Sequence, residues 1–386
     1  RWPAPGRRWR RSGSSIVAAG GIWLATPTRF AGLSSRTARI VLALAALLLL
    51  LACYSAIGAP APKLASDAAG ESSHTTDRML YENIVSDIRY GDNYYTATAT
   101  ELRRGHYPLR PFVTFRLPAL AVIQAWLPQW LAPLLLYALV AAVVLAWMVR
   151  LRAVFARPLP TAMALLLLAG GLVACVQPLL MVFHEIWAGL LIALSLAARR
   201  PGRWIESVSI GLAATLIRET AVLYLGLMFL LALADGERRE ALGWFIAATL
   251  LAVVVAFHAH AVAMVVRPLD TPSPGWLGML GFGFFVKSLA STTALVVVPT
   301  AVAALLVTLS LFGWAAWRDP TGLRVLVTLT GYTTLIGIFC RADTFYWVML
   351  PAPLMLVGLA FVPYGLRDLI AAALDTRRIT VTRVLR

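Results

Sequence analysis

The sequence predicts an all-α polytopic membrane protein, and three observations lead to that prediction. Of the 386 residues, 60% are hydrophobic and only 13% are charged, which is too little charge to cover the surface of a soluble domain. Apolar runs close to the ~20 residues that a helix needs to cross a bilayer recur along the chain. These runs are solid Leu, Ala and Val rather than alternating, which argues against a membrane β-barrel.

The apolar runs also predict the order of the spans. A first span at 39–59 follows a basic segment, so the N-terminus is expected in the cytoplasm. Further spans are predicted at 130–149, 159–182, 184–198, 240–264, 291–316, 322–340 and 345–363. Together with two ambiguous ranges, this gives a bundle of about 10–11 transmembrane helices.

The two ambiguous ranges are 111–128 and 207–234. The first is apolar but short and bounded by prolines, so we expect a half-inserted or juxtamembrane helix. The second would reach ~42 Å as one helix, which is too long for one crossing. We expect two short helices folded back around Arg218 and Glu219, because this hairpin keeps the basic C-terminal tail in the cytoplasm.

Three regions follow from these spans. Residues 1–37 are expected to form a basic, disordered cytoplasmic segment, and 38–365 an integral membrane domain. Residues 366–386 are expected to form a basic cytoplasmic tail. Within the membrane domain, 60–128 forms a long first extracytoplasmic loop with juxtamembrane helices. Its 60–110 part contains seven of the eighteen Asp and Glu residues, which places it outside the cell.

The net charge of +16 arises from arginines that cluster between apolar runs. Examples are "RLRAVFAR" at 150–157 and "AARRPGR" at 197–203. Such clusters are typical of cytoplasmic loops, so the expected surroundings are membrane lipids and no nucleic-acid partner is expected. Only Lys63 and Lys287 are lysines, which is consistent with a bacterial source. We therefore expect the chain in a bacterial inner (plasma) membrane.

Placing those arginine clusters in the cytoplasm brings four charged elements to the outer side. They are the first loop, His184 with Glu185, Arg218 with Glu219, and Arg341 with Asp343. Ionisable groups near a membrane interior usually face a cavity or each other and mark a function. The sequence therefore predicts a polar cavity on the extracytoplasmic face.

The first loop has the residues suited to chemistry in that cavity. Asp77 is expected in the first turn of a helix, where it is either a capping acid or a general base for a hydroxyl. The loop continues with Arg103, Arg104, Arg110 and Arg116. Arginines suit a phosphate through bidentate hydrogen bonds, and they equally suit lipid head groups.

These elements resemble the GT-C superfamily of integral-membrane glycosyltransferases, over about residues 38–365. The resemblance rests on an outer-loop acid followed by tyrosine, a Gly-x-x-Tyr pattern, a Pro-rich stretch, a second acid at an outer hairpin, and a helical segment with a basic residue. Here these are Asp77 and Tyr81, Gly91 and Tyr94, Pro108, Pro111 and Pro118, Glu185, and "GLAATLIRETAVLYL" with Arg218.

The resemblance implies an enzyme that moves a sugar from a polyprenyl-phosphate donor to a hydroxyl of a glycan or lipid acceptor on the outer face. Asp77 would be the catalytic base, with Glu185 and His184 lining the same cavity. The donor phosphate would face Arg218, Arg341 and one of Arg110 or Arg116. Other expected cavity residues are Tyr81, Glu219, Asp343 and Tyr346.

The resemblance leaves the metal requirement open. Some members of the superfamily use a divalent cation, and many have two adjacent acids in the first loop. Here Arg78 follows Asp77, so no metal ligand is assigned, and Mg²⁺ or Mn²⁺ remains an open expectation.

Three other interpretations also stay open. A transporter or flippase for a lipid-linked or polar substrate would use buried charge pairs and broken helices, although no inverted repeat is visible. A non-catalytic membrane scaffold is compatible with the missing second acid. An acyl or phosphoryl transferase could use His184 as its base, but the sequence identifies no nucleophile.

Overall fold

The computed structural model describes residues 24, 26–62 and 73–376, and the regular secondary structure in these ranges is helical, with isolated β-bridges besides. In chain order the α-helices are α1 (Ser35–Gly58), α2 (Ser73–Arg89), α3 (Tyr94–Arg104), α4 (Ala119–Trp126), α5 (Leu131–Val154), α6 (Pro158–Gly171), α7 (His184–Ala198), α8 (Ile205–Ile217), α9 (Val222–Ala234), α10 (Arg238–Ala263), α11 (Gly281–Thr292), α12 (Thr300–Ala316), α13 (Pro320–Phe339), α14 (Ala352–Met355) and α15 (Val362–Leu374).

Five helical stretches in the described residues are long and apolar enough to cross a membrane. They are α1, α5, α10, α13 and the continuous stretch Ala352–Leu374, with mean hydropathies between 1.4 and 2.7. Shorter apolar helices, which include α6 to α9 and α12, pack among them. The predicted class, a helical membrane protein, agrees with this architecture.

The centre of the bundle is packed around large aromatic side chains. The rings of Trp147 and Trp314 meet edge to face at 5.7 Å, and Phe361 stacks on Trp317 at 5.1 Å. Trp147 Nε1 donates to the carbonyl oxygen of Ala193 at 2.9 Å, so its one polar atom is satisfied inside the bundle. The four aromatic residues tie α5, α12 and the C-terminal helices into one core.

Three predicted spans differ from the helices observed. The 159–182 span ends at Gly171 and continues as short 3-10 turns, and the 291–316 span becomes a helix only at Thr300. The last span begins later than predicted, because Pro351 and Pro353 lie in 345–355 and a proline cannot donate a helical hydrogen bond. The helix then runs to Leu374, so residues 366–374 belong to the membrane domain rather than to a tail.

The predicted disorder of 1–37 is corrected for residues 26–37. Phe30 stacks on Phe312 at 5.2 Å, and both the backbone N–H and the hydroxyl of Thr28 donate to Oδ2 of Asp368 at 3.0 and 2.8 Å. These contacts hold the start of the chain against α12 and α15. The predictions for residues 1–23, 25 and 377–386 lie outside the described residues.

The range 207–234 forms two helices, as predicted. α8 ends at Ile217, Arg218 has an extended backbone, and α9 begins at Val222. The ring of Tyr224 in α9 meets that of Trp244 in α10 edge to face at 5.6 Å. At 1.5 Å per residue each short helix is about 20 Å long, against about 39 Å for α10. The turn at Arg218 therefore lies part-way along α10. We call the bundle end at which α1 and α10 stop the site end, and the turn lies below it.

Candidate functional site

The predicted site residues, with the exception of Arg110, come together near the site end. α2 supplies Asp77 and Tyr81, the segment before α4 supplies Arg116, and the start of α7 supplies His184 and Glu185. The α8–α9 turn and the segment after α13 supply the others, which are Arg218, Glu219, Arg341, Asp343 and Tyr346. Five separate parts of the chain therefore meet at one site.

Asp77 is held by two phenol groups. Tyr107 Oη donates to Asp77 Oδ1 at 2.6 Å, and Tyr346 forms a second side-chain hydrogen bond to the same carboxyl group. Burial raises the pKa of Asp77, while the two hydrogen bonds and the charge of Arg116 act in the opposite direction. A carboxylate whose affinity for a proton is raised is a better general base than an exposed one.

The capping interpretation of Asp77 is wrong. α2 begins at Ser73, so Asp77 lies in its second turn rather than its first. The N–H groups that are free at a helix start are those of the first turn, and the side-chain hydrogen bonds of Asp77 are to Tyr107 and Tyr346. The carboxyl group thus faces these two tyrosines instead of capping its own helix.

Arg218 forms the floor of the site and has no exposed surface. Its Nε atom lies 2.6 Å from Glu185 Oε1, and its Nη1 atom donates to Glu219 Oε1. The guanidinium group also lies 5.4 Å from the ring centroid of Trp347, which is a cation–π contact. A buried cation flanked by two carboxylates and an aromatic face is stable only while all of these partners are present.

Arg116 continues this charged chain toward α2. Its Nη1 atom lies 3.4 Å from Glu219 Oε1, and its Nε atom donates to the hydroxyl oxygen of Tyr81 at 3.3 Å. Glu219 therefore bridges two arginines, Arg116 and Arg218. The result is one network that runs from α7 across the α8–α9 turn to α2, in which a change at one member affects the others.

Polar atoms without a hydrogen-bond partner are concentrated at this network. His184 is 3% exposed and both its ring nitrogens are unpaired, although its ring meets that of Tyr81 edge to face at 5.3 Å. Other unpaired atoms around the site are Arg218 Nη2, Glu219 Oε2, Thr220 Oγ1 and Trp347 Nε1. Buried polar atoms are nearly always paired in folded proteins, so this concentration indicates a place built for a polar ligand or for water.

A small cavity adjoins His184. Its volume is about 30 Å³, and Tyr81, Tyr94, Arg116 and Gln124 supply its larger polar side chains. A buried water needs about 10–15 Å³ of such volume and two to four polar partners. The cavity therefore has room for about two waters between α2, α4 and α7.

Arg341 lies at the mouth of the site and is the most exposed of its three arginines. Its Nη2 atom donates to Asp343 Oδ2 at 2.7 Å, and its Nη1 atom donates to the carbonyl oxygen of Gly275 at 3.4 Å. Because both Arg341 and Asp343 keep about a third of their side-chain surface, an incoming anion can reach this arginine without unpacking the bundle.

Arg110 lies outside the site, and its predicted role is corrected. Its side chain is exposed, and Nε donates to the carbonyl oxygen of Asp270 at 2.9 Å. Its own carbonyl oxygen accepts from Ser273 N at 2.6 Å. Arg110 therefore attaches the loop after α10 to the first loop. The proline-bounded turn directs the Arg110 side chain toward the backbone of the loop after α10.

Arg103 strengthens the same attachment. Its Nε and Nη2 atoms donate to the two carboxylate oxygens of Asp270 at 2.9 and 2.7 Å. Hydrogen bonds from Arg103 lower the pKa of Asp270 to about 2. The sequence indicated Arg103 as a candidate phosphate ligand. Its guanidinium group instead forms a bidentate pair with Asp270.

Two residues of the site were not assigned to it from the sequence. Tyr107 belongs to a proline-bounded loop segment without periodicity, and its contact with Asp77 spans 30 positions. Trp347 follows Tyr346 directly in the sequence and is buried beside Arg218. The sequence feature that could have indicated Trp347 is the aromatic run "FYWV" directly after a charged segment. Such a run can be assigned to the lining of a site only once the fold is known.

The residues do not form a cage for a divalent cation. In the part of the chain that the structure describes, no group of three or more His, Cys, Asp or Glu side chains could hold a metal ion. Two other carboxylates of the site are already paired, Glu219 with Arg116 and Asp343 with Arg341. No metal site is therefore assigned among the described residues.

A second feature is an apolar groove of about 820 Å³ between α1, α12 and α13. It follows α1 from Val41 to Ser55, a length of about 21 Å at helical rise. Three of the four threonines that line it, Thr308, Thr330 and Thr333, donate their hydroxyls to carbonyl oxygens of their own helices at 2.9, 2.7 and 2.8 Å. The groove thus presents methyl groups rather than polar atoms.

A buried ion-pair network also lies at the opposite end of the bundle. Arg199 donates to both carboxylate oxygens of Glu240 at 3.1 and 2.8 Å, and Arg324 pairs with Asp235 at 2.8 Å. These residues hold the ends of α7, α9 and α13 against the start of α10. Their side chains are mutually paired, so this network is explained by packing alone.

Comparison with family models, curated proteins and solved structures finds no match to this chain.

Proposed function

We propose that this chain is a membrane glycosyltransferase of the GT-C type, which moves a sugar from a polyprenyl-phosphate donor to a hydroxyl of a glycan or lipid acceptor. The observation that supports this most is the placement of Asp77. Its half-buried carboxyl group, held by Tyr107 and Tyr346, lies close enough to Arg116 to feel its charge, and Arg116 belongs to an arginine network that has unpaired polar atoms. Base and phosphate-binding groups are the two requirements of sugar transfer from a phosphate carrier.

Asp77 takes the proton of the acceptor hydroxyl in this proposal. The acceptor oxygen attacks the anomeric carbon of the donor sugar, a glycosidic bond forms, and the bond between the sugar and the phosphate oxygen breaks. The lipid phosphate leaves with the bonding electron pair. The protein mainly has to align the two substrates, since the sugar–phosphate bond is already activated.

The three arginines Arg116, Arg218 and Arg341 stabilise the charge on the departing phosphate. Arg341 is accessible at the mouth, and Arg218 has an unpaired Nη2 atom at the floor. Charge-assisted hydrogen bonds from arginine are stronger than neutral ones. Fixed donors aimed at developing charge are a large contribution to catalysis in a site shielded from water.

The apolar groove supplies a place for the prenyl chain. Its surface is methyl-rich because three of the four lining threonines bond to their own helices. A pathway for a polar substrate across the membrane would instead need exposed polar groups. This difference favours the transferase over the transporter or flippase.

The distribution of arginines supports an extracytoplasmic site in a bacterial inner membrane. Arg150 and Arg152 end α5, Arg199 and Arg200 follow α7, and Arg238 starts α10. All of these helix ends lie opposite the site end. Because cytoplasmic ends are enriched in Arg and Lys, the proposed active face is the outer one.

The test uses the purified protein in liposomes with a panel of polyprenyl-phosphate sugars and candidate acceptors. Mass spectrometry follows loss of the sugar from the donor, with Mg²⁺, with Mn²⁺ and with a chelator. Wild type is compared with Asp77→Asn. Glu82→Gln is the matched control, because Glu82 is an exposed carboxylate on the same helix.

We expect wild type and Glu82→Gln to consume one donor, and Asp77→Asn to bind that donor without consuming it. If wild type consumes no donor in any of the three metal conditions, the proposal is wrong. A flipping assay in the same liposomes then tests the transporter. Normal turnover by Asp77→Asn would instead remove Asp77 from the role of base.

A further inference from the structure

The segment that connects the apolar groove to the mouth of the site is the 275–281 loop, which precedes α11. At one end, the carbonyl oxygen of Gly275 accepts from Arg341. At the other end, Phe282 follows Gly281 directly and lines the groove. The loop therefore spans the distance between the place proposed for the lipid chain and the place proposed for its phosphate.

The loop lies directly on the last turn of α13. Met279 N donates to the carbonyl oxygen of Ile338 at 2.8 Å, and Gly281 packs against Gly337. Gly337 lies one helical turn beyond Thr333, which lines the groove. The loop thus crosses α13 immediately above the upper end of the groove.

Contact at Gly278 fixes this crossing closely. A Cβ atom added to Gly278 would lie 1.9 Å from the carbonyl oxygen of Cys340, so only glycine allows the approach. Arg341 is the next residue after Cys340. The position of the loop and the position of Arg341 are consequently coupled through a single backbone contact.

The loop presents apolar side chains that have no protein partner to cover them. Leu277 is 69% exposed and Met279 is 67% exposed. Met279 also has φ of 50°, a backbone conformation that is uncommon for a residue with a long side chain. Such conformations persist where the surrounding structure imposes them, often at ligand sites. Here Met279 N is bonded to Ile338 O, and the side chain stays exposed.

We infer that Leu277 and Met279 contact the head-proximal part of a lipid chain as it turns from the groove toward Arg341. The occupant is a long apolar chain that ends in a phosphate. The identity of the lipid in this inference rests on the proposed function. The inference adds the residues that select the isoprenoid units nearest the phosphate. Covering two apolar side chains on binding is favourable in proportion to the area removed from water.

The experiment measures binding separately from transfer. Purified protein is incubated with a polyprenyl phosphate that carries no sugar, and native mass spectrometry reports the fraction of protein with bound lipid. The variants are Leu277→Ala/Met279→Ala and the conservative Leu277→Ile/Met279→Leu. Leu269→Ala is the matched control, because Leu269 is 98% exposed and lies earlier in the connection between α10 and α11.

We expect the double alanine variant to bind polyprenyl phosphate about tenfold more weakly, from the loss of apolar area at both positions. The conservative double variant and Leu269→Ala should bind as wild type does. In transfer assays, donors that differ only in saturation of the unit next to the phosphate should be discriminated by wild type and not by the double alanine variant.

Two results would overturn the inference. One is equal lipid occupancy in wild type and the double alanine variant when both unfold at the same temperature. The other is no binding of polyprenyl phosphate by wild type. If wild type binds the lipid and the double alanine variant does not, but no donor sugar is transferred, the inference stands and the proposed glycosyltransferase activity fails.

Discussion

The hydroxyl group of Tyr107 lies 2.6 Å from Oδ1 of Asp77 and donates a hydrogen bond to it across 30 positions of the first loop. Burial raises the pKa of Asp77, and this hydrogen bond limits the rise because it favours the ionised carboxylate. Tyr107 therefore sets the pH at which the proposed base becomes active.

Replacing Tyr107 by Phe should move the acid limb of the pH–rate profile to higher pH. The substitution removes a donor to the carboxylate, so the pKa of Asp77 rises further and a smaller fraction is ionised at a given pH. The measurement is kcat/KM against pH, which reports ionisations of the free enzyme. Tyr90→Phe, at an exposed tyrosine just after α2, is the control. An unshifted acid limb in Tyr107→Phe would show that Asp77 is not the titrating base.

Asp77→Asn should unfold at the same temperature as wild type or higher at pH 7, although it is inactive. A pKa raised above its usual 3.8 means that ionised Asp77 is accommodated less well in the folded than in the unfolded chain. That cost grows as the pH rises from 3.8 to the folded pKa, and it is fully present above that value. Asn removes the charge and keeps the shape.

The check is thermal unfolding in detergent at pH 7 and again near pH 4. The advantage of Asp77→Asn should shrink at the lower pH, because the raised pKa leaves less of Asp77 ionised in folded wild type there. A lower unfolding temperature for the variant at pH 7 would mean that Tyr107 and Tyr346 favour the charged form enough to reverse the effect of burial.

Arg218→Met should lower the free energy of unfolding by about 3–5 kcal/mol, since it leaves Glu185 as a buried charge without its partner. The double variant that adds Glu185→Gln should recover most of that loss, because Glu219 keeps Arg116 as its partner. Chemical denaturation of the detergent-solubilised variants measures both values. Equal stability of the single and double variants would contradict the assigned pairing.

Glu240→Gln tests the network at the opposite end of the bundle. It leaves Arg199 buried without its carboxylate, so a loss of about 3–5 kcal/mol is expected here too. The KM for the donor, measured on the fraction that remains folded, should be unchanged. A raised KM would show that the two ends of the bundle are coupled.

Gly278→Ala should displace the 275–281 loop and weaken the binding of polyprenyl phosphate, because its Cβ atom cannot fit against Cys340. Gly226→Ala is the matched control. Its Cβ atom meets no other atom within 4 Å, and alanine favours a helix by about 0.5–1 kcal/mol over glycine. Native mass spectrometry with the lipid should therefore separate the two variants, and equal binding would argue against the coupling of the loop to Arg341.

The helical class and most spans could be predicted from the sequence, because length and apolar composition determine whether a helix can cross a membrane. The turn at Arg218 was also predictable, since two charged residues interrupt an apolar range too long for one crossing. Boundaries failed where prolines interrupt an apolar run, as at Pro351 and Pro353. Hydropathy values alone do not account for the backbone hydrogen bonds that proline cannot donate.

The residues that belong to the candidate site were more predictable from the sequence than the contacts between them. Placing charged segments on one side of the membrane identified Glu185, Arg218 and Glu219 together. The choice between Arg110 and Arg116 was not predictable, because both follow prolines in the same loop. Arg110 points to the backbone of the neighbouring loop and Arg116 to Glu219, and only long-range contacts decide between them.

The short α8–α9 hairpin has an electrical consequence. Because Arg218 lies part-way along α10 and not at its end, a lipid phosphate that reaches it enters the electric field of an energised membrane. When one elementary charge crosses a third of that field, its electrostatic energy changes by about 0.8 kcal/mol per 100 mV of membrane potential. The rate of transfer should then depend on the voltage across sealed proteoliposomes, with a sign that reports which way the anion travels.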